Sequence, residues 1–239
     1  MTMASRHRTP TQDARSAPEP ATAESDGTGH PGSLAALRDT LNECRRCDRW
    51  RAATQGVPGE GSSRAELMLV GEVPGDAEDR QGHPFVGPAG DLLDRALAEA
   101  GIDRESVFVT NAVKHFKFEQ RGKRRLHVKP NGAEIKACLY WLDEELRFVA
   151  PQLVIALGST AARALLGRTV TISAVRGRPI PRNDSLHVWV TVHPSSLLRI
   201  PEASGRRAEF ARFVRELKAA RAWLRAQREP VSPRRRSAP

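Results

Sequence analysis

Three groups of residues in this 239-residue sequence have types and spacings suited to chemistry. Cys44 and Cys47 form a C-x-x-C, with Cys138 the only other cysteine. Three cysteines are too few and too odd in number for a disulfide framework, and a cytosolic C-x-x-C points to metal or redox chemistry. The run Lys123-Arg-Arg-Leu-His127 offers cations for phosphate contacts, with His127 as one more donor. The third group comprises polar residues that directly follow short apolar runs: Glu72 in Gly71-Glu-Val-Pro-Gly75, Asn111 after Thr110, Ser159 after Gly158, and His193 with Ser195.

An alternation of apolar runs and helical stretches must position these groups. Ser33 can cap a helix through Leu34, Leu37 and Leu41 to the first cysteine. Leu67 to Val70, ending in Gly71, suits a buried parallel strand. A helix from about Pro88 is closed by Gly101 at its C′ position. Val107 to Val109 reads as a second strand, Ala133 to Val149 as a helix, and Leu153 to Leu157 as a third strand. Ser159 is the expected cap of a helix ending at Gly167, Val188 to Val192 is a fourth strand, and a helix from about Gly205 closes the domain. Strands alternating with helices predict an α/β fold of three layers, α/β/α, around a four-stranded parallel sheet. Ligands in such folds bind beyond the carboxyl ends of the strands, where the polar groups named above would meet.

Composition sets the limits. The net charge of +10 points toward polyanions, and 5% aromatic residues with 18 Gly and 17 Pro exclude a coiled coil, a collagen-like chain and a wholly disordered one. No apolar run approaches the roughly 18 residues that span a bilayer, so no membrane association is expected. The first thirty residues lack the apolar core of a secretory signal, and a cytoplasmic monomer is expected. Residues 1–32 read as a disordered leader, 33–225 as the globular domain, and 226–239 as a flexible basic tail.

The motifs Gly71-Glu-Val-Pro-Gly75, Gly82-His-Pro-Phe-Val-Gly-Pro-Ala-Gly90, Thr110-Asn111 and Val192-His-Pro-Ser195 resemble, in order and spacing, the uracil-DNA glycosylase superfamily. The resemblance covers nearly all of residues 33–220. Lys114-His-Phe-Lys-Phe118 followed by Lys123 to His127 is similar to the UdgX branch, whose members bind uracil-DNA covalently through a histidine in this basic loop.

The resemblance implies a role for each residue. A glycosylase must flip the base out of the stack and break its bond to the sugar. Phe85 would stack on uracil. Asn111 would accept from N3–H and donate to O4, an order cytosine reverses. His193 would donate to O2 as charge develops there. Backbone N–H groups at Val73, Gly75 and Asp76 would add donors, although Val73 stands where the branch usually has Gln. Glu72 would stabilise the cationic sugar and accept a proton. Asp76 and Asp79 are secondary candidates, since acidic residues after a turn also serve as helix caps. Lys123, Arg124, Arg125, Ser195 and Arg199 would contact DNA.

His127 is the expected nucleophile, kept neutral by the cations at 123–125. Its attack on C1′ gives an N-alkylated imidazole, a poor leaving group once the other nitrogen has lost its proton. A carboxylate ester to the same carbon would be labile. The resemblance also implies a [4Fe–4S] cluster on Cys44, Cys47, His115 and Cys138, for which imidazole can replace one thiolate. Zinc accepts the same donors. Two rivals stay open: a hydrolytic glycosylase in which Glu72 and water finish the reaction, and a metal-stapled DNA-binding module without catalysis.

Overall fold

The computed structural model describes residues 30–228. The leader assigned to residues 1–32 and the tail assigned to 226–239 therefore fall mostly outside the described residues. Of the leader, His30 stacks on Tyr140 with ring centroids 5.5 Å apart, and the Pro31 carbonyl accepts from Arg147.

The first helix, α1 (Leu34–Leu41), starts as expected, with Ser33 Oγ accepting from the Ala36 N–H at 3.1 Å. It stops before Cys44, and a short 3₁₀ turn over Asp48–Arg51 follows the C-x-x-C. Then come β1 (Glu60–Gly61), β2 (Leu67–Gly71), α2 (Asp76–Gln81), α3 (Pro88–Ala100) and β3 (Phe108–Asn111). A hairpin, β4 (Phe118–Arg121) and β5 (Arg124–His127), precedes α4 (Gly132–Val149) and β6 (Leu153–Leu157). The chain continues through α5 (Ser159–Leu166), α6 (Ile172–Val175), β7 (Pro179–Pro181), β8 (His187–Thr191), α7 (Pro194–Leu198) and α8 (Ala203–Arg228).

The sheet runs β1-β3-β2-β6-β8-β7. Its four inner strands are the expected parallel ones, and each edge gains a short antiparallel strand that the sequence did not signal. Side chains alternate between two cores, as the period of two requires. Met68, Val70, Val154, Ala156, Val188 and Val190 face α4 and α5. Leu67, Leu69, Leu153, Ile155, Leu157 and Trp189 face α3 and α8. With both faces covered, these strands bury nearly every residue. The α1 helix lies outside α4, where Leu37, Leu41, Cys44 and Trp141 form a third cluster. At α5 the cap is Gly158, and Ser159 is the first helical residue, which corrects the expectation that Ser159 caps it.

Candidate active site

A cavity of about 830 Å³ opens beyond the carboxyl ends of β2, β3, β6 and β8. Glu72, Asn111, Gly158 and His193 enter it from the four strand ends, and His127 and Lys129 from the hairpin side. Val73, Gly75, Asp76, Phe85, Ser195 and Arg199 complete the set of expected residues on its wall.

The site rests on one close approach. Gly71 pairs with Asn111 in the parallel ladder. A Cβ at Gly71 would lie 2.3 Å from Asn111 Oδ1 and 2.7 Å from the Phe85 ring. Only glycine lets both side chains reach the same wall. Phe85 itself has φ of +59°, a left-handed conformation that costs roughly 1–2 kcal/mol in an L residue. The strain turns its ring into the cavity beside His193, with centroids 6.0 Å apart.

His193 precedes α7, and its Nδ1 accepts from the Ser195 N–H at 3.1 Å. Because a backbone N–H can only donate, Nδ1 carries no proton and the neutral ring holds its proton on Nε2. Burial lowers its pKa to about 4, with His127 and Arg199 adding to the effect. His193 is therefore a neutral donor across the working pH range. Burial also lowers the His127 pKa; nearby Glu72 raises it, and Arg199 and Lys129 lower it. The direction is the expected one, but its leading cause is partial desolvation, and the cations that act on the ring are Arg199 and Lys129 instead of the run at 123–125. Glu72 Oε1 is buried and has no hydrogen-bond partner, leaving an acceptor available in the cavity.

Several expected roles change. The Gly75 N–H donates to Glu78 Oε2 at 3.1 Å, and Glu78 Oε1 accepts from the Gly87 N–H at 3.3 Å. Gly75 therefore offers no free donor, and Glu78 joins the two loops that form one wall. Sequence reasoning missed Glu78, although its place three residues after the helix cap is the capping-box spacing. Asp79 is fully buried away from the cavity and accepts from the Thr54 N–H and hydroxyl, at 2.9 and 2.6 Å.

Arg125 does not project toward solvent. It bonds to Asp76 and, at 2.6 Å, to Asp79, with its side chain only 11% exposed. Its guanidinium lies 5.2 and 5.0 Å from the Phe116 and Phe118 ring centres. Alternation along β5 explains the inversion: Arg125 and His127 share one face and Arg124 and Leu126 the other, with Arg125 half-buried against the acidic pair and His127 solvent-exposed at the cavity wall. Lys123, at the hairpin turn, and Arg124 lie outside the cavity. Among the described residues, Val86, Leu126 and Leu198 are the exposed large hydrophobics, and they neighbour Phe85, His127 and Arg199 in sequence.

Of the cysteines and His115, Cys44, Cys138 and His115 are buried and Cys47 half-buried. The Cys47 and Cys138 thiols are neighbours: their interaction lowers the Cys47 pKa to about 6, and the same interaction and burial push the Cys138 thiol up. Cys138 also meets the Lys114 backbone, next to His115, and Arg45 of the C-x-x-C acts on the His115 ring. Trp141 Nε1 donates to Cys44 Sγ at 3.1 Å. Three thiols and a buried imidazole are a chemically suitable donor set for iron–sulfur or zinc. Among the described residues, however, no three His, Cys, Asp or Glu side chains are drawn to one ligating centre. No helix of the described residues is long and apolar enough to cross a membrane.

The neutral state of His193 has a measurable consequence. Its folded pKa is depressed, so its contribution to stability is present above the unfolded value of about 6.5 and is lost as pH falls toward about 4. Stability should decline over that window by roughly 3 kcal/mol from this group. Thermal melts of the protein and of His193→Gln at stepped pH should show a shallower decline in the variant.

The match to the uracil DNA glycosylase superfamily model covers residues 58–218. A type-4 uracil-DNA glycosylase of Thermotoga maritima is 36% identical over 184 residues, covering 77% of this chain and 90% of its own. The type-4 enzyme of Sulfurisphaera tokodaii is 33% identical over 193 residues, covering 77% and 84%. A type-5 uracil-DNA glycosylase of Pyrobaculum aerophilum is 30% identical over 180 residues, covering 69% and 76%. With the parallel sheet and its strand-end cavity, these matches establish that the chain belongs to the uracil-DNA glycosylase superfamily.

Proposed function

We propose that this protein excises uracil from DNA and then stays joined to the deoxyribose through His127. The observation that carries this reading is that His127 shares one cavity with Glu72, Asn111 and His193. A hydrolytic glycosylase needs the last three; it has no need of a second imidazole beside them.

The chemistry follows from the groups present. The flipped base stacks on Phe85, and the Asn111 carboxamide reads N3–H and O4. As the bond from C1′ to N1 breaks, its electron pair leaves with the base, and charge on O2 is met by the His193 Nε2–H. The sugar becomes oxocarbenium-like beside Glu72. A nitrogen lone pair of His127 then bonds to C1′. The proton on the other ring nitrogen passes to Glu72 or solvent, and the departing uracil anion takes a proton from water. The neutral N-alkyl imidazole cannot leave easily, so the reaction stops at the adduct. The exposed side chains of Val86, Leu126 and Leu198 supply apolar contacts for the gap in the stack.

We further propose that Cys44, Cys47, His115 and Cys138 hold a [4Fe–4S] cluster, with zinc as the alternative. The group would act as a structural staple between α1, α4 and the hairpin's root, since glycosidic cleavage needs no redox step. The proximity of the Cys47 and Cys138 thiols, with Arg45 between the first two cysteines acting on the His115 ring, supports this assignment.

On a denaturing gel, the protein with a uracil-containing oligonucleotide should give a shifted band that survives heat and detergent and is absent with His127→Ala. Free abasic product without a shift would leave a turnover glycosylase; an untouched oligonucleotide would overturn the assignment of activity. Arg125→Ala should slow adduct formation by about tenfold or more, because the hairpin loses its latch. The salt dependence of DNA binding should be unchanged in this variant, whereas loss of a phosphate contact would lower the slope by about one. The purified protein should contain iron and acid-labile sulfide. Cys47→Ala should lose both, with a lower melting temperature; zinc in their place would select the alternative.

A further inference from the structure

Lys114 and Glu145 form an ion pair in which both side chains are 0% exposed, with Nζ and Oε2 2.6 Å apart. Lys114 also donates to Thr110 Oγ1 at 2.6 Å and to the Asn111 carbonyl at 2.8 Å, so all three of its ammonium protons are used. The other carboxylate oxygen of Glu145 accepts from the Gly59 N–H at 2.8 Å. One buried carboxylate and one buried ammonium thus join α4, the segment before β1, and the last two residues of β3.

Such a pair is a poor way to gain stability, because desolvating two charges offsets most of their attraction and an apolar pair of similar volume often does as well. What this pair supplies is direction. It grips the Thr110 side chain and the Asn111 carbonyl just behind the Asn111 carboxamide, which already lies against Gly71 with no room for a Cβ. Neither residue lines the cavity.

We propose that Lys114 and Glu145 are positioning residues for uracil recognition, fixing the end of β3 so that the Asn111 carboxamide presents its oxygen and nitrogen in one orientation. This rests on the glycosylase reading above, in which Asn111 reads the base. The pair belongs to specificity and rate, and its removal as a unit should be felt at the base more than in the fold.

The test uses the full chain. Lys114→Met alone strands the Glu145 charge and should unfold easily. The double variant K114M/E145Q removes both charges and keeps an acceptor for Gly59. It should stay folded and keep the wild-type iron content and affinity for a thymine-containing oligonucleotide. Its rate of uracil excision should fall by about 100-fold, the scale of an ångström-level misplacement. A crystal structure of it should show the Asn111 carboxamide displaced from its place against Gly71. Excision within twofold of wild type, or an undisplaced Asn111, would overturn the proposal; so would a loss of excision in step with loss of iron, since the effect would then run through His115. If the double variant does not fold, Thr110→Val, which removes one Lys114 acceptor, should give an intermediate loss of about tenfold, and wild-type excision by it would overturn the proposal. A wild-type protein inactive on uracil would instead sink the glycosylase reading, while the displacement of Asn111 would still decide the placement claim.

Discussion

Gly71 facing Asn111 across the β2–β3 ladder is the constraint on which the site depends. Parallel pairing sets the two strand ends side by side, and the missing side chain at Gly71 lets an amide and an aromatic ring occupy the space where a Cβ would project. The sheet is therefore more than a platform. Its register selects which residues meet at the wall, and a slip of one residue would turn Asn111 into a core face. The left-handed backbone at Phe85 and the buried ion pair behind Asn111 both bear on where the ring and the carboxamide stand on the cavity wall.

The second determinant is desolvation. Burial is the leading cause of the lowered pKa at both His127 and His193. The same physics yields two different reagents because their ring nitrogens differ in partners. His193 has Nδ1 engaged by the Ser195 N–H and so has a donor to offer; the His127 ring is acted on by the Glu72 carboxylate. At His127, cations on one side and a carboxylate on the other push the pKa in opposite directions on top of that effect.

Much of the frame was legible in the sequence because the inner strands are continuous apolar runs ended by glycine or a polar residue. Leu153–Leu157 was read with its observed bounds, and the helix over 88–100 was marked by proline at its start and glycine at its end. The hairpin was not legible. Phe118–Arg121 and Arg124–His127 are mostly polar, so no hydrophobic alternation announced them. Arg125 could be recognised as a cation, but its partners Asp76 and Asp79 lie 49 and 46 residues away. Lys114 and Glu145, 31 apart, were invisible for the same reason. Charge is written in sequence; the identity of its counterion is a property of the fold.

The short borders of the sheet carry a consequence for association. At one edge, β7 is Pro179-Ile180-Pro181, and neither proline has an N–H to offer a foreign strand. At the other, β1 is two residues long. A protein whose long central strands are rich in valine, leucine and isoleucine would otherwise present a template for edge-to-edge aggregation. Here the apolar inner strands are bordered by two strips too short or too proline-rich to extend the ladder, so the sheet edges offer a foreign strand little to pair with.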